Sequence, residues 1–193
     1  MRSAIFGGTF DPIHNAHLVV ARKAAAEFRL DQILVVPAAH PPHKAGVTHV
    51  PYHHRVRMAE LACEGEPRLV VSRLEEGTVR SYSIDTIEKV QSAIAPGDEL
   101  FFIIGADAFA EIRTWRRWQD VARAVCFIVV NRPGHHYAAP PGVRIERLDS
   151  VDLPISSSDI RRALAAGRHP AEVPQRVLEY ILANHLYGAG VTA

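Results

Sequence analysis

Short, unbroken apolar runs recur along the chain, separated by stretches in which apolar positions return at a helical period. The runs are SAIF at 3–6, QILVV at 32–36, RLVV at 68–71, ELFFII at 99–104 and VCFIVV at 125–130, with VRIERL at 143–148 a weaker sixth. Their length and their β-branched and aromatic content predict buried strands. The stretches 15–28, 52–64, 83–94 and 107–123 predict helices, the last with a break. Strands apolar on both sides, alternating with helices, predict a parallel sheet covered on both faces, an α/β doubly wound architecture. Two further helices are expected near 157–166 and 174–185. The first has a serine cluster to cap it and Gly167 to stop it; the second opens at Pro174 and ends before Gly188. No internal repeat, low-complexity tract or linker divides the pattern, so one domain over 1–193 is expected.

Composition narrows the classes. Of 193 residues, 48% are hydrophobic and 22% charged, enough for a sizeable core. The formal net charge is +1, so no general field marks a nucleic-acid or membrane binder, and any anion site must be local. Cys63 and Cys126 are far apart and form no CxxC pair, which fits a reducing compartment. The apolar run at the start is too short for a signal peptide and no stretch approaches membrane-spanning length. A soluble cytoplasmic protein is the expectation.

Three loops follow predicted strands at their carboxyl ends, where open parallel sheets build ligand crevices. They are GGTFDPIHNAH at 7–17, PAAHPPHKAGVTHVP at 37–51 and NRPGHHYAAPPG at 131–142. In the first, Gly7 and Gly8 allow a sharp turn and a close backbone approach, and a helix starts at or near Asn15. Its early N–H groups favour anions. His14 and His17, three apart in its first turn, can face the same way. That pattern suits a polyphosphate; it also suits a plain strand-to-helix turn with two histidines. A zinc site would need further ligands that no HExxH or Cys/His spacing supplies. Near the other end, ISSSDIRRAL (155–164) sets three hydroxyls at a helix start with Arg161 one turn in. This is a good N-cap, and equally a second anion site with an arginine donor. Two such termini in one α/β chain favour a nucleoside triphosphate.

GGTFDPIHNAH followed by ISSSDIR resembles the nucleotidyltransferase superfamily with HxGH and ISSTxxR signatures, and more closely the bacterial nicotinate-nucleotide adenylyltransferases. HPPHK at 40–44, SYSIDT at 81–86, FIIGAD at 102–107, Trp115, NRPG at 131–134 and PQRVLEYILANHLYG at 174–188 extend the resemblance over nearly the whole chain. Two departures stand out: Ala16 replaces the usual glycine between the histidines, and Ser158 replaces a threonine while keeping the hydroxyl.

The resemblance implies a Rossmann-like fold and adenylyl transfer from ATP to nicotinate mononucleotide, giving the deamido dinucleotide and pyrophosphate. It implies that His14, His17, Arg161 and Lys44 carry the chemistry. ATP would be held by Gly7, Gly8, Thr9, Phe10, His14, His17, Gly105, Asp107, Arg132, Ile155, Ser156, Ser157 and Arg161. Lys44 would take the mononucleotide's phosphate, Trp115 would stack on its pyridine ring, Ser83 with nearby backbone N–H groups would receive its carboxylate, and Thr86 would join them in binding the mononucleotide. Mg²⁺ is expected to arrive with ATP, because no carboxylate cluster suggests a metal held by the protein. Asp107 also reads as a helix N-cap, and Trp118 as core. The partners implied are small molecules, with neither nucleic acid nor membrane among them, and a homo-oligomer is possible. The alternatives are an adenylyltransferase for nicotinamide mononucleotide or another phosphorylated acceptor, and a nucleotide sensor without turnover.

Overall fold

The computed structural model describes residues 1–40, 49–131, 137–149 and 155–189. Its centre is a six-stranded sheet in the order β3-β2-β1-β4-β5-β6, with every adjacent pair parallel. The strands are β1 (Arg2–Gly8), β2 (Gln32–Pro37), β3 (Leu69–Val71), β4 (Glu99–Gly105), β5 (Cys126–Val130) and β6 (Ile145–Leu148). All six predicted strands form, each within a residue or two of its apolar run.

The helices are α1 (Asn15–Glu27), α2 (Tyr52–Cys63), α3 (Ser83–Gln91), α4 (Ala106–Ala110), α5 (Trp118–Ala124), α6 (Ser157–Ala165) and α7 (Gln175–Ala183). The expected break in 107–123 is real: a 3₁₀ turn at Ile112–Thr114 separates α4 from α5, and α5 starts after Arg117 in the left-handed region at φ 53°.

Period-2 alternation along β1 divides the core in two. Ala4 joins one apolar cluster with Leu18 and Ala21 of α1, Met58 and Ala59 of α2, Ile160 of α6 and Val177 of α7. Ile5 faces the other, with Ile84 and Ile87 of α3, Phe109 of α4 and Val121 of α5. Helices therefore cover both faces, which is why the strands read as continuous apolar runs. Trp118 departs from expectation: it is only half-buried, with Arg113 over its ring at 5.9 Å. Among the described residues, no helix is long and apolar enough to cross a membrane.

Chain order reverses between β1 and β4, so the crevice of a doubly wound sheet opens at their carboxyl ends. Gly7 and Gly8 end one strand there and Gly105 ends the other.

Candidate functional site

The glycine turn borders a cavity of about 460 Å³ lined by Gly7, Gly8 and Thr9, by Gly105, and by Ser83, Thr86 and Trp115. Phe10, His14, His17 and Arg161 do not line that cavity, but Phe6, which does, has its ring 5.5 Å from that of Phe10 and 6.1 Å from that of His17.

The geometry of the turn follows from two close contacts. A Cβ on Gly8 would come within 2.8 and 2.9 Å of Phe10 ring carbons, so only glycine fits without moving that ring. Phe10 is buried, with its backbone in the left-handed region at φ 47°, a conformation that costs a non-glycine residue energy and is held by packing. Its ring meets Phe6 edge-on at 5.5 Å and His17 edge-on at 5.0 Å. We therefore expect Gly8→Ala to cost about 1–3 kcal/mol through overpacking. Any activity that depends on His17 should fall with it, because the displaced Phe10 supports that ring. Thermal unfolding with steady-state kinetics checks this, and unchanged values for both would refute the steric reading.

His14 is buried and extended (φ −148°, ψ 171°), and α1 starts behind it. The His14 and His17 rings stack with centroids 3.8 Å apart and planes 27° apart, so the pair does share one face. The His14 backbone N–H donates to His17 Nδ1 at 3.1 Å. A ring nitrogen that accepts carries no proton, so neutral His17 bears its proton on Nε2. The α1 terminus is less open to anions than the sequence suggested. Asn15 N–H donates to Glu172 O at 2.8 Å, and His17 N–H to His14 O at 2.9 Å.

The serine cluster docks onto this turn from the far end of the chain. Ser157 Oγ donates to Pro12 O at 3.1 Å, and Arg161 Nη1 donates to Asp11 O at 2.7 Å. Arg161 Nη2 donates to Ser158 Oγ at 3.1 Å, which uses two of the five guanidinium N–H groups. Ser156 caps α6 by accepting from Asp159 N–H at 3.1 Å. Ile155 and Ser156 also line a separate polar hollow with Arg162 and Arg168. Asp107 is exposed in the first turn of α4 and folds back over Gly105, which itself occupies the cap position; the expected N-cap role is not seen. Lys44 and Arg132 lie outside the described residues.

Several buried polar groups organise the turn that no motif singled out. Asp11 accepts from Tyr187 Oη at 2.7 Å and from His49 N–H at 2.7 Å. Burial, then the adjacent Asp11 carboxylate, pushes the Tyr187 phenol well above its usual range, so it stays a donor. Arg55, 1% exposed, donates to Thr9 O and Ala38 O at 2.7 Å each, and more distantly to Ala39 O at 3.3 Å and Val50 O at 3.4 Å. It ties the β1–α1 turn to both described ends of the loop between β2 and α2. Its signal was present: Arg55 falls on the same helical face as Met58, Ala59 and Ala62. Glu75, 7% exposed, had no such periodic signal; it accepts from Thr86 Oγ1 at 2.8 Å and from Ala39 N–H at 3.2 Å.

Residues 5–163 match the cytidylyltransferase-like family model. The chain belongs to the cytidylyltransferase-like family. Within it, the chain is 67% identical over 187 residues to a probable nicotinate-nucleotide adenylyltransferase of Solibacter usitatus, covering 97% of this chain and 100% of the relative. A protein of the same description from Thermus thermophilus is 41% identical over 189 residues, covering 97% and 100%. Among solved structures, the nicotinic acid mononucleotide adenylyltransferase of Plasmodium falciparum complexed with NaAD superposes with a TM-score of 0.78 at 21% identity, over 99% of both chains. The family's matched span runs from β1 into α6, and so contains both the glycine turn and the serine cluster that docks on it.

Proposed function

We propose that the chain, working as one nucleotidyltransferase domain over 1–193, transfers the adenylyl group of ATP to nicotinate mononucleotide, releasing pyrophosphate and deamido-NAD. One observation carries the reading. The glycine turn and the serine cluster, the two segments whose sequences suggested anion sites, meet through the Ser157–Pro12 and Arg161–Asp11 hydrogen bonds about 150 residues apart, and Trp115 lines a cavity at the same turn. The relatives at 67% and 41% identity, both described as probable nicotinate-nucleotide adenylyltransferases, support the acceptor.

In this reading the acceptor's phosphate oxygen attacks the α-phosphorus of ATP in line, and no protein nucleophile takes part. The protein aligns the reactants and stabilises charge. His17, a donor through Nε2, and His14 meet the charge that develops on the α-phosphate and leaving group. Arg161 offers its remaining N–H groups to the outer phosphates, and Ser156 and Ser157 shape that end. Gly7, Gly8, Thr9 and Phe10 set the path of the backbone along the triphosphate, and Gly105 and Asp107 face the nucleoside across the switch point. Trp115 packs edge-on against Phe102 at 5.8 Å, which steadies it as a platform for the pyridine ring. Among the described residues no group of three or more His, Cys, Asp or Glu could hold a metal, and the Asp11 carboxylate already accepts two hydrogen bonds. In this reading a divalent ion, Mg²⁺ by the chemistry of triphosphates, comes in as part of the substrate.

The test is pyrophosphate release from ATP with each pyridine mononucleotide in turn. Release with the acid form, and a dinucleotide product of matching mass, is the expected result. Release with neither mononucleotide would overturn the assignment.

A further inference from the structure

We propose that Arg116 selects a carboxylate over a carboxamide on the acceptor's ring; the proposal rests on the acceptor reading above. Arg116 follows the Trp115 platform directly and lines the same cavity. Among the described residues lining that cavity, the charged ones are Glu75 and Arg116.

Glu75 makes its end of the cavity a poor place for an acid. Its carboxylate is buried, and Thr86 Oγ1 donates its only proton to Glu75 Oε1 at 2.8 Å. Thr86 can then only accept from a ligand. A buried negative charge beside an accepting hydroxyl suits the NH₂ of an amide and repels a carboxylate. A cation elsewhere on the wall would favour the acid instead.

Arg116 supplies it. Its guanidinium lies over the Tyr82 ring at 4.7 Å, and Tyr82 and Ser83 line the cavity with it; Arg116 also lines an adjoining hollow with Asp85 and Lys89. Among the described residues, the carboxylate paired with it is Asp85 at 3.9 Å, beyond hydrogen-bond distance. The planar fork is therefore placed but not occupied by that acid, and it matches a carboxylate in two-point geometry. Its side chain is 54% exposed, so the attraction is screened by salt rather than sheltered in the interior.

The experiment is competition between the acid and amide mononucleotides at saturating ATP, with wild type, Arg116→Gln and Arg116→Lys, at low and high salt. The ratio of specificity constants, acid over amide, should fall about tenfold in Arg116→Gln, through a higher KM for the acid, with the KM for ATP held within about twofold. Arg116→Lys should keep part of the preference, because charge remains while the fork is lost. The wild-type ratio should drop as salt rises, and that of Arg116→Gln should stay flat. An unchanged ratio in Arg116→Gln, or equal losses on both mononucleotides, would overturn the proposal. Wild type that uses neither mononucleotide would instead overturn the acceptor reading itself.

Discussion

Turnover of His17→Ala should be about two orders of magnitude or more below wild type, with the fold intact. The structure supplies the reason the effect should be on chemistry. The His14 backbone N–H donates to His17 Nδ1 at 3.1 Å, so the neutral ring holds its proton on Nε2 and is a donor without any protonation step. The ring is held on two sides, stacked on His14 at 3.8 Å and edge-on to Phe10 at 5.0 Å. A donor fixed in advance stabilises developing charge without reorganising when the reaction occurs. Alanine removes the donor and the acceptor of the His14 N–H together. The KM for both substrates should change far less than kcat. Steady-state kinetics with circular dichroism checks this; turnover within about threefold of wild type would remove His17 from the proposed chemistry.

The second large effect is expected at Arg55, in stability. Arg55→Met keeps much of the length and the apolar stem but deletes the donors to Thr9 O, Ala38 O, Ala39 O and Val50 O. Those carbonyls belong to the glycine turn and to both described ends of the neighbouring loop, and Arg55 is 1% exposed, so water does not readily replace the lost donors. Each buried acceptor left without a donor costs about 1–3 kcal/mol, and the two bonds of 2.7 Å alone point to a loss of about 3 kcal/mol or more. Burial pushes the Arg55 pKa down, with Asp11 the first of the groups opposing that shift, yet an arginine remains charged at neutral pH. The native state therefore carries a buried cation that these carbonyls and the nearby Asp11 and Glu75 stabilise. Urea denaturation of Arg55→Met measures the cost. A loss below about 1 kcal/mol would show that the turn and the loop are held by something else.

The elements were legible because they depend on local patterns. A run such as ELFFII can only be buried on both sides, and β4 forms at Glu99–Gly105. SSSD followed by apolar positions caps a helix by short-range hydrogen bonds, and α6 begins at Ser157. The same locality explains the departures. Asp107 looked like a cap because it stands near a helix start, but Gly105 takes that position and α4 begins one residue earlier than Asp107.

Sequence alone determined the strands, the helices, a break within 107–123 and the two motifs, since each is encoded within a few neighbouring residues. Only the tertiary structure decided the strand order, because parallel crossovers of similar length permit many orders, and with it the meeting of β1 and β4 at the crevice. It alone showed that Arg161 reaches Asp11 O, that Tyr187 reaches the Asp11 carboxylate, and that Thr86 gives its proton to Glu75. These contacts join residues 150, 176 and 11 positions apart. Burial strips water from them, so their donors and acceptors must pair with whatever the fold brings near. That pairing is a property of the packed chain, and no window of the sequence contains it.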